Sequence, residues 1–320
     1  MSAPAKLPRW AELALLPLIN LVAALILSGV IVKILGESPW AACKLMVAGS
    51  LGSQEGIGYT LYYATNFMFT GLAVAVAYHA GLFNIGGEGQ AYIGGLGSGL
   101  VALWLGQLPF LVVAPVAVLA GAAFGAAWAF IPAWLQARRG SHIVITTIMF
   151  NFIAAALMTY LLVNVLIKPG QQAPETREFG PGAFMPQASD VLAKLGITFA
   201  SSPLNFAFVL ALAGSLALNE LLGSQHRILI DFPSGAGFVG IAVALMGRNH
   251  PLGIFLAAVL FGALAQGGSQ LSFDMPKINR DMVVVIQGLV ILFCGALENV
   301  FRGPLGAVFA RFAKKAEAAG

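Results

Sequence analysis

A 320-residue chain that is 59% hydrophobic and 9% charged, with a mean hydropathy of +0.87, excludes an ordinary soluble protein, because soluble domains carry about 25% charged residues. The net charge of +4 and the pI near 9.2 do not signal nucleic-acid binding. The basic residues gather at the ends of apolar segments, which is the loop pattern of membrane proteins.

The expected fold is therefore all-α: a polytopic membrane helix bundle of about eight spans plus a re-entrant segment, in a single transmembrane domain over residues 1–320. A span needs about 20 apolar residues. The first such run is 13–35, preceded by Lys6 and Arg9; it is too long for a signal-peptide core and is read as retained. Runs at 59–80 and 85–105 follow, the latter crowded with glycine from Gly86 to Gly99. The run 108–135 carries Gly121 and Gly125 at the spacing that lets helix backbones touch. After 142–167 the character changes. Residues 169–202 hold prolines, glycines and clustered charges and read as an extracytoplasmic loop. The segment 203–222 reads as a sixth span. The apolar stretch 234–247 is too short to cross and reads as a re-entrant hairpin, tolerable only if protein buries it. Runs at 252–271 and 282–300 complete the set, before a basic cytoplasmic tail over 301–320.

Orientation follows from the basic residues. With both termini in the cytoplasm, ten of the 17 lysines and arginines fall inside and seven outside. Arg138, Arg139, Arg227 and Arg248 are then cytoplasmic.

No phosphate-binding loop, zinc-protease motif or nucleophile elbow is present, so no enzyme activity is expected of this chain. Cys43 and Cys294 are far apart and His79, His142, His226 and His250 are scattered singly, so neither a metal nor a cofactor is expected. The residues that stand out are polar groups at membrane depth. Glu88 leads them, since an ionisable group within a span points to function. It lies in the run GLFNIGGEGQ at 81–90, where the glycines interrupt a helix and Asn84 and Gln90 add donors and acceptors. A broken helix lining a cavity is how transporters place polar groups near the midplane. Glu88 equally suits a structural role, capping a helix or pairing with nearby backbone. Asn66, Asn151 and Gln287 are further buried candidates, with Phe83 able to stack on a planar ligand; interhelical hydrogen bonding is the plainer role for the amides.

The run at 81–90 resembles a signature of permeases from nucleoside-type bacterial ABC importers, a group that also serves ribose-type sugars and branched-chain amino acids. GFVGIAVALMGRNHPLG at 237–253 is similar to a second signature, while TTIMFN at 146–151 and VIQGLVILF at 285–293 fit the middle and last helices. The resemblance implies a pore-forming permease subunit, usually of about ten spans, and no cofactor. It also implies three partners: a separate ABC ATPase, a second related permease or a second copy of the chain, and a substrate-binding lipoprotein. All would work at the inner membrane. Nucleosides are the implied cargo, with sugars or branched-chain amino acids as alternatives. One departure is marked. The family carries a basic cytoplasmic loop between two helices after the equivalent of PLNF at 203–206, and here FVLALAGSLALN at 208–219 joins the two directly. The loop that docks on the ATPase is absent, leaving the loops that hold Arg138, Arg139, Arg227 and Arg248 as docking candidates. A carrier without an ATPase and a shortened paralogue that assembles without transporting stay open as alternatives.

Overall fold

The computed structural model describes residues 8, 11, 15–205, 207, 218–293, 301–307 and 309. Among them the chain is helical, with only three isolated β-bridges and no sheet. The helices are α1 (Leu16–Ile34), α2 (Pro39–Leu51), α3 (Gln54–His79), α4 (Gly87–Leu105), α5 (Phe110–Arg139), α6 (Ile143–Asn164), α7 (Ala188–Lys194), a π-helical turn α8 (Leu218–Gln225), α9 (Ala236–Met246), α10 (Pro251–Asp274) and α11 (Arg280–Ile291). Five of the described helices, α1, α3, α5, α6 and α10, are long and apolar enough to cross a membrane. The expected polytopic helix bundle is what the chain forms.

Local chemistry sets the ends of these helices. Ser53 caps α3 by accepting the Gly56 amide at 2.9 Å, and Glu55 lies in the first turn, where the helix dipole favours an acid. Gly140 ends α5 in the left-handed conformation at φ 67°, and its amide reaches the Gln136 carbonyl at 3.0 Å.

Two compact units form: 1–49 with 267–320, and 50–266. In the first, Val32, Ala42, Leu271 and Ile278 make a buried apolar cluster, and Lys277 pairs with Glu37 at 3.4 Å. The expected span at 282–300 is described to residue 293, and the tail residues Arg311, Lys314 and Lys315 lie outside the described residues.

The second unit is built on α4. Its glycines remove side-chain bulk on two faces. Toward α5, a β-carbon on Gly94 would stand 3.1 Å from the Gly121 carbonyl oxygen, and one on Gly97 would stand 2.7 Å from that of Ala120. The two antiparallel backbones thus touch, as the Gly121/Gly125 spacing predicts, and Ser98 locks them by donating to the Ala117 carbonyl at 2.8 Å. On another face, Gly99 and Gly95 admit the side chains of Ile228 and Phe232.

That second contact corrects two expectations. The segment 203–222 is not a simple crossing. The Asn205 amide donates to the Asn219 side-chain oxygen at 3.0 Å, whereas a straight helix would hold residues 14 apart about 20 Å apart. Both ends of the segment share one face of the unit; the residues between, 206 and 208–217, lie outside the described residues. The crossing comes later. From Ile228 to Gly235 the chain runs without helix alongside α4, and Gly237 in the first turn of α9 completes the path from Gly99 down to Glu88. Helix α9 continues beside α3, from Thr70 at Gly240 to His79, whose Nε2 meets the Asn249 carbonyl at 3.2 Å. Helix α9 is short, as expected of 234–247, but its ends stand at different depths, so it does not double back as a hairpin. The two corrections cancel in the span count, which leaves Arg248 at the end of the unit opposite Arg227.

Arg227 does not keep its expected face. It pairs with Glu175 at 2.8 Å, and Glu175 bridges Leu229, so Arg227 belongs to the same face as the 169–202 loop. It lies at the α4 end near Leu103, whose carbonyl accepts from Arg177 at 2.7 Å. Arg138 and Arg139 stand at the other end of the antiparallel α4–α5 pair. Arg227 and the 169–202 loop therefore cannot be on opposite sides of the membrane. In a background free of Cys43 and Cys294, Glu178→Cys and Arg227→Cys should both react with an impermeant thiol reagent from the same side; labelling from opposite sides would refute this pairing.

Candidate functional site

The interrupted helix at 81–90 is a folded loop, held largely by its own polar groups. The Asn84 side-chain oxygen accepts the Gly86 amide at 2.8 Å, and its amide nitrogen donates to Gln90 at 3.3 Å. Asn151, from α6, accepts the Gly89 amide at 2.8 Å and donates to the Ile85 carbonyl at 2.9 Å. These contacts satisfy backbone groups that the helix break frees, which membrane depth requires. Glu88 points the other way. Only 5% exposed, its carboxylate accepts the Gly235 amide at 3.0 Å and the Gly237 amide at 2.7 Å. Those amides begin α9, so Glu88 caps the neighbouring helix and meets its positive end.

The contact is tight. A β-carbon on Gly237 would collide with the backbone nitrogen and Cα of Glu88, which cannot yield. Gly237→Ala should therefore lower stability by about 1–3 kcal/mol, read as a lower melting temperature in detergent. Gly288→Ala, in α11 with open space around it, is the neutral control.

The structure thus brings together Asn84, Glu88, Gln90 and Asn151. Phe83, next to Asn84 in the chain, is exposed, and Gln287 lies on α11 in the other compact unit. Asn66 belongs to a second cluster. There Glu220 is the centre: one carboxylate oxygen accepts from the Tyr62 hydroxyl at 2.6 Å and from Asn66 at 2.8 Å, and the other from Gln225 at 3.1 Å. Asn219 joins by donating to Asn66 at 2.7 Å and to the Tyr62 carbonyl at 3.1 Å. Glu220 is thus a second carboxylate within the apolar stretches. Its signal in the sequence is the same, a charge inside an apolar run, but the segment around it reads as a plain span.

Among the docking candidates, Arg138 and Arg139 are exposed in the last turn of α5, and Arg248 is exposed in the turn after α9 with φ 53°. Arg227 is taken up by Glu175. Beside it, His226 stacks on Phe184 with ring centres 3.9 Å apart. Burial lowers the His226 pKa, the nearby Glu178 charge opposing it. Among the described residues no group of metal-binding side chains assembles.

Residues 56–222 match the family described as branched-chain amino acid transport system / permease component. The glucose ABC transporter permease protein TsgB13 of Haloferax volcanii is 31% identical, over 95% of this chain and 92% of its own length. The guanosine ABC transporter permease protein NupP of Bacillus subtilis is 30% identical over 87% and 92%, and the nucleoside ABC transporter permease protein NupB of Lactococcus lactis is 30% identical over 87% and 90%. No solved structure matches the chain. The alignment to the glucose permease runs over 356 positions, more than the 320 residues of this chain. At least 36 positions of that relative therefore face a gap in this chain. Such permeases are not catalytic, and membership implies an ATPase and a substrate-binding protein as partners. With the match covering just over half of the chain and relatives aligned along most of it, this multi-pass inner-membrane protein belongs to the permease family of the ABC importers for sugars, nucleosides and branched-chain amino acids.

Proposed function

We propose that the chain is the pore-forming permease subunit of an ATP-driven nucleoside importer, moving cargo handed over by a binding lipoprotein. The observation that carries the transport reading is the non-helical run Ile228–Gly235 beside the middle of α4. Backbone without a helical ladder is tolerated at that depth only where protein buries it or where it lines a water-filled path. The cargo rests on the 81–90 signature and on the guanosine and nucleoside relatives. A sugar is the second reading, favoured by the glucose relative at 31% identity.

Both termini are cytoplasmic in this proposal and 169–202 lies outside, now with Arg227 beside it. The pore pairs this chain with a second permease, and the exposed Arg138, Arg139 and Arg248 stand nearest the ATPase. Asn84, Gln90 and Asn151 line or support the path around Glu88. The test is uptake of radiolabelled uridine, adenosine, ribose, glucose and leucine by the reconstituted complex. Uridine or adenosine should accumulate on ATP addition, and accumulation of glucose alone would move the chain to the second reading.

A further inference from the structure

Asp231 is an exposed carboxylate set against the middle of α4, the helix packed along the candidate span α5. Its neighbour Phe232 packs its ring on Gly95, close to the midpoint of Gly87–Leu105, and Tyr92 of the same helix donates its hydroxyl to Asp231 Oδ1 at 2.7 Å. The backbone there is left-handed at φ 57°, and the Asp231 carbonyl closes a tight turn by accepting the Ser234 amide at 3.0 Å and hydroxyl at 2.9 Å. The turn leaves the carboxylate outside the packed core. Among the described residues no cation pairs with it, and Tyr92 is the one side-chain donor it receives.

A charged group at that depth faces the bundle interior or a water-filled cavity rather than lipid. The broken helix that carries it is the element on which transporters build midplane sites. The other carboxylates at this depth are consumed: Glu88 by the amides of α9, and Glu220 by three side-chain donors. Asp231 alone of the three presents unused lone pairs to an open surface. Seven residues on, Phe238 in the first turn of α9 is 46% exposed. A carboxylate oriented by a tyrosine, with an exposed ring on the same segment, suits a neutral polyol. Two adjacent hydroxyls can each donate to one carboxylate oxygen, while the ring covers an apolar sugar or base face.

We infer that Asp231 is the residue of the translocation path that recognises the cargo's vicinal hydroxyls, those of a ribose or hexose ring, with Phe238 as its apolar platform. This rests on the reading of the chain as a permease for such cargo. In the complex reconstituted with its ATPase, binding protein and second permease, uptake of uridine is compared with that of 2′,3′-dideoxyuridine. The binding protein's own preference is common to every variant and cancels. Asp231→Asn should cut the ratio of the two uptakes about tenfold, and Asp231→Glu should keep it. An unchanged ratio in a folded Asp231→Asn complex overturns the inference. If uridine is not carried, the nucleoside proposal falls by itself, and the same variants are compared on glucose and 2,3-dideoxyglucose, which keeps no vicinal pair, with the same two outcomes. Should Asp231→Asn fail to assemble, Asp231→Cys in the background free of Cys43 and Cys294 decides the point. Reaction with a small impermeant thiol reagent, slowed by uridine or glucose, supports the site; no reaction in an intact complex removes Asp231 from any aqueous path.

Discussion

Glu88→Ala should be among the most damaging single substitutions in this chain, lowering stability by about 3–5 kcal/mol. Two buried amides at the start of α9, those of Gly235 and Gly237, lose their acceptor at once, and each stranded donor costs about 1–3 kcal/mol. The positive end of α9 loses its compensating charge as well. Glu88→Gln should fall near half that loss, because its amide can present an oxygen to only one of the two donors. The readouts are membrane yield and melting temperature in detergent, taken beside uptake. A cap predicts that both fall together, with alanine worse than glutamine. If Glu88→Gln keeps its melting temperature and loses uptake, the carboxylate acts on cargo instead, and the capping geometry is incidental to its role.

The second large effect concerns ATP coupling. Hydrolysis drives a pore only if the ATPase contacts its two states differently. The resemblance implies that this contact comes from a cytoplasmic loop for which the sequence leaves no room after residue 206. What remains near Arg138, Arg139 and Arg248 is a helix end and a short turn, and Arg227 is held on the opposite face by Glu175. The ATPase purified with this chain alone should therefore form no stable complex, and cargo should not stimulate its hydrolysis. Adding a full-length partner permease should restore stimulation of at least about fivefold, the lower range of couplings between sites. A stable, cargo-stimulated complex lacking the second permease would show that the short loops suffice.

The spans were legible where hydropathy and helix ends carried the same message. The expected 13–35, 85–105 and 142–167 correspond to Leu16–Ile34, Gly87–Leu105 and Ile143–Asn164, because long apolar runs closed by glycine, proline or charge have one cheap solution in a bilayer. Hydropathy fails where it counts residues without knowing where their ends go. The segment 203–222 has the length of a span, yet Asn205 and Asn219 meet. The run from Ile228 to Gly235 has the turn-rich composition of a surface loop, yet it lies against α4 because Gly95 and Gly99 leave room for it. Nothing in 226–235 itself announces this; the signal is in the glycines of another element. At the site, the self-contained contacts of 81–90 were within reach of the sequence, whereas the pairing of Glu88 with Gly237 joins residues 149 positions apart, and the Glu220 cluster spans more than 150.

The glycine seam between α4 and α5 bears on how such a pore can move. Gly94 rests on the Gly121 main-chain oxygen of α5, and Gly97 on that of Ala120 beside the Phe124 ring. Atoms so placed have one register, and sliding by a turn would drive side chains into the opposite backbone. These two helices must therefore travel as a single rigid piece whenever the path opens to one side or the other. The strain of each transport cycle then falls on the segment with no seam and no ladder, where His226, Asp231, Ser234 and Gly235 already hold left-handed backbone.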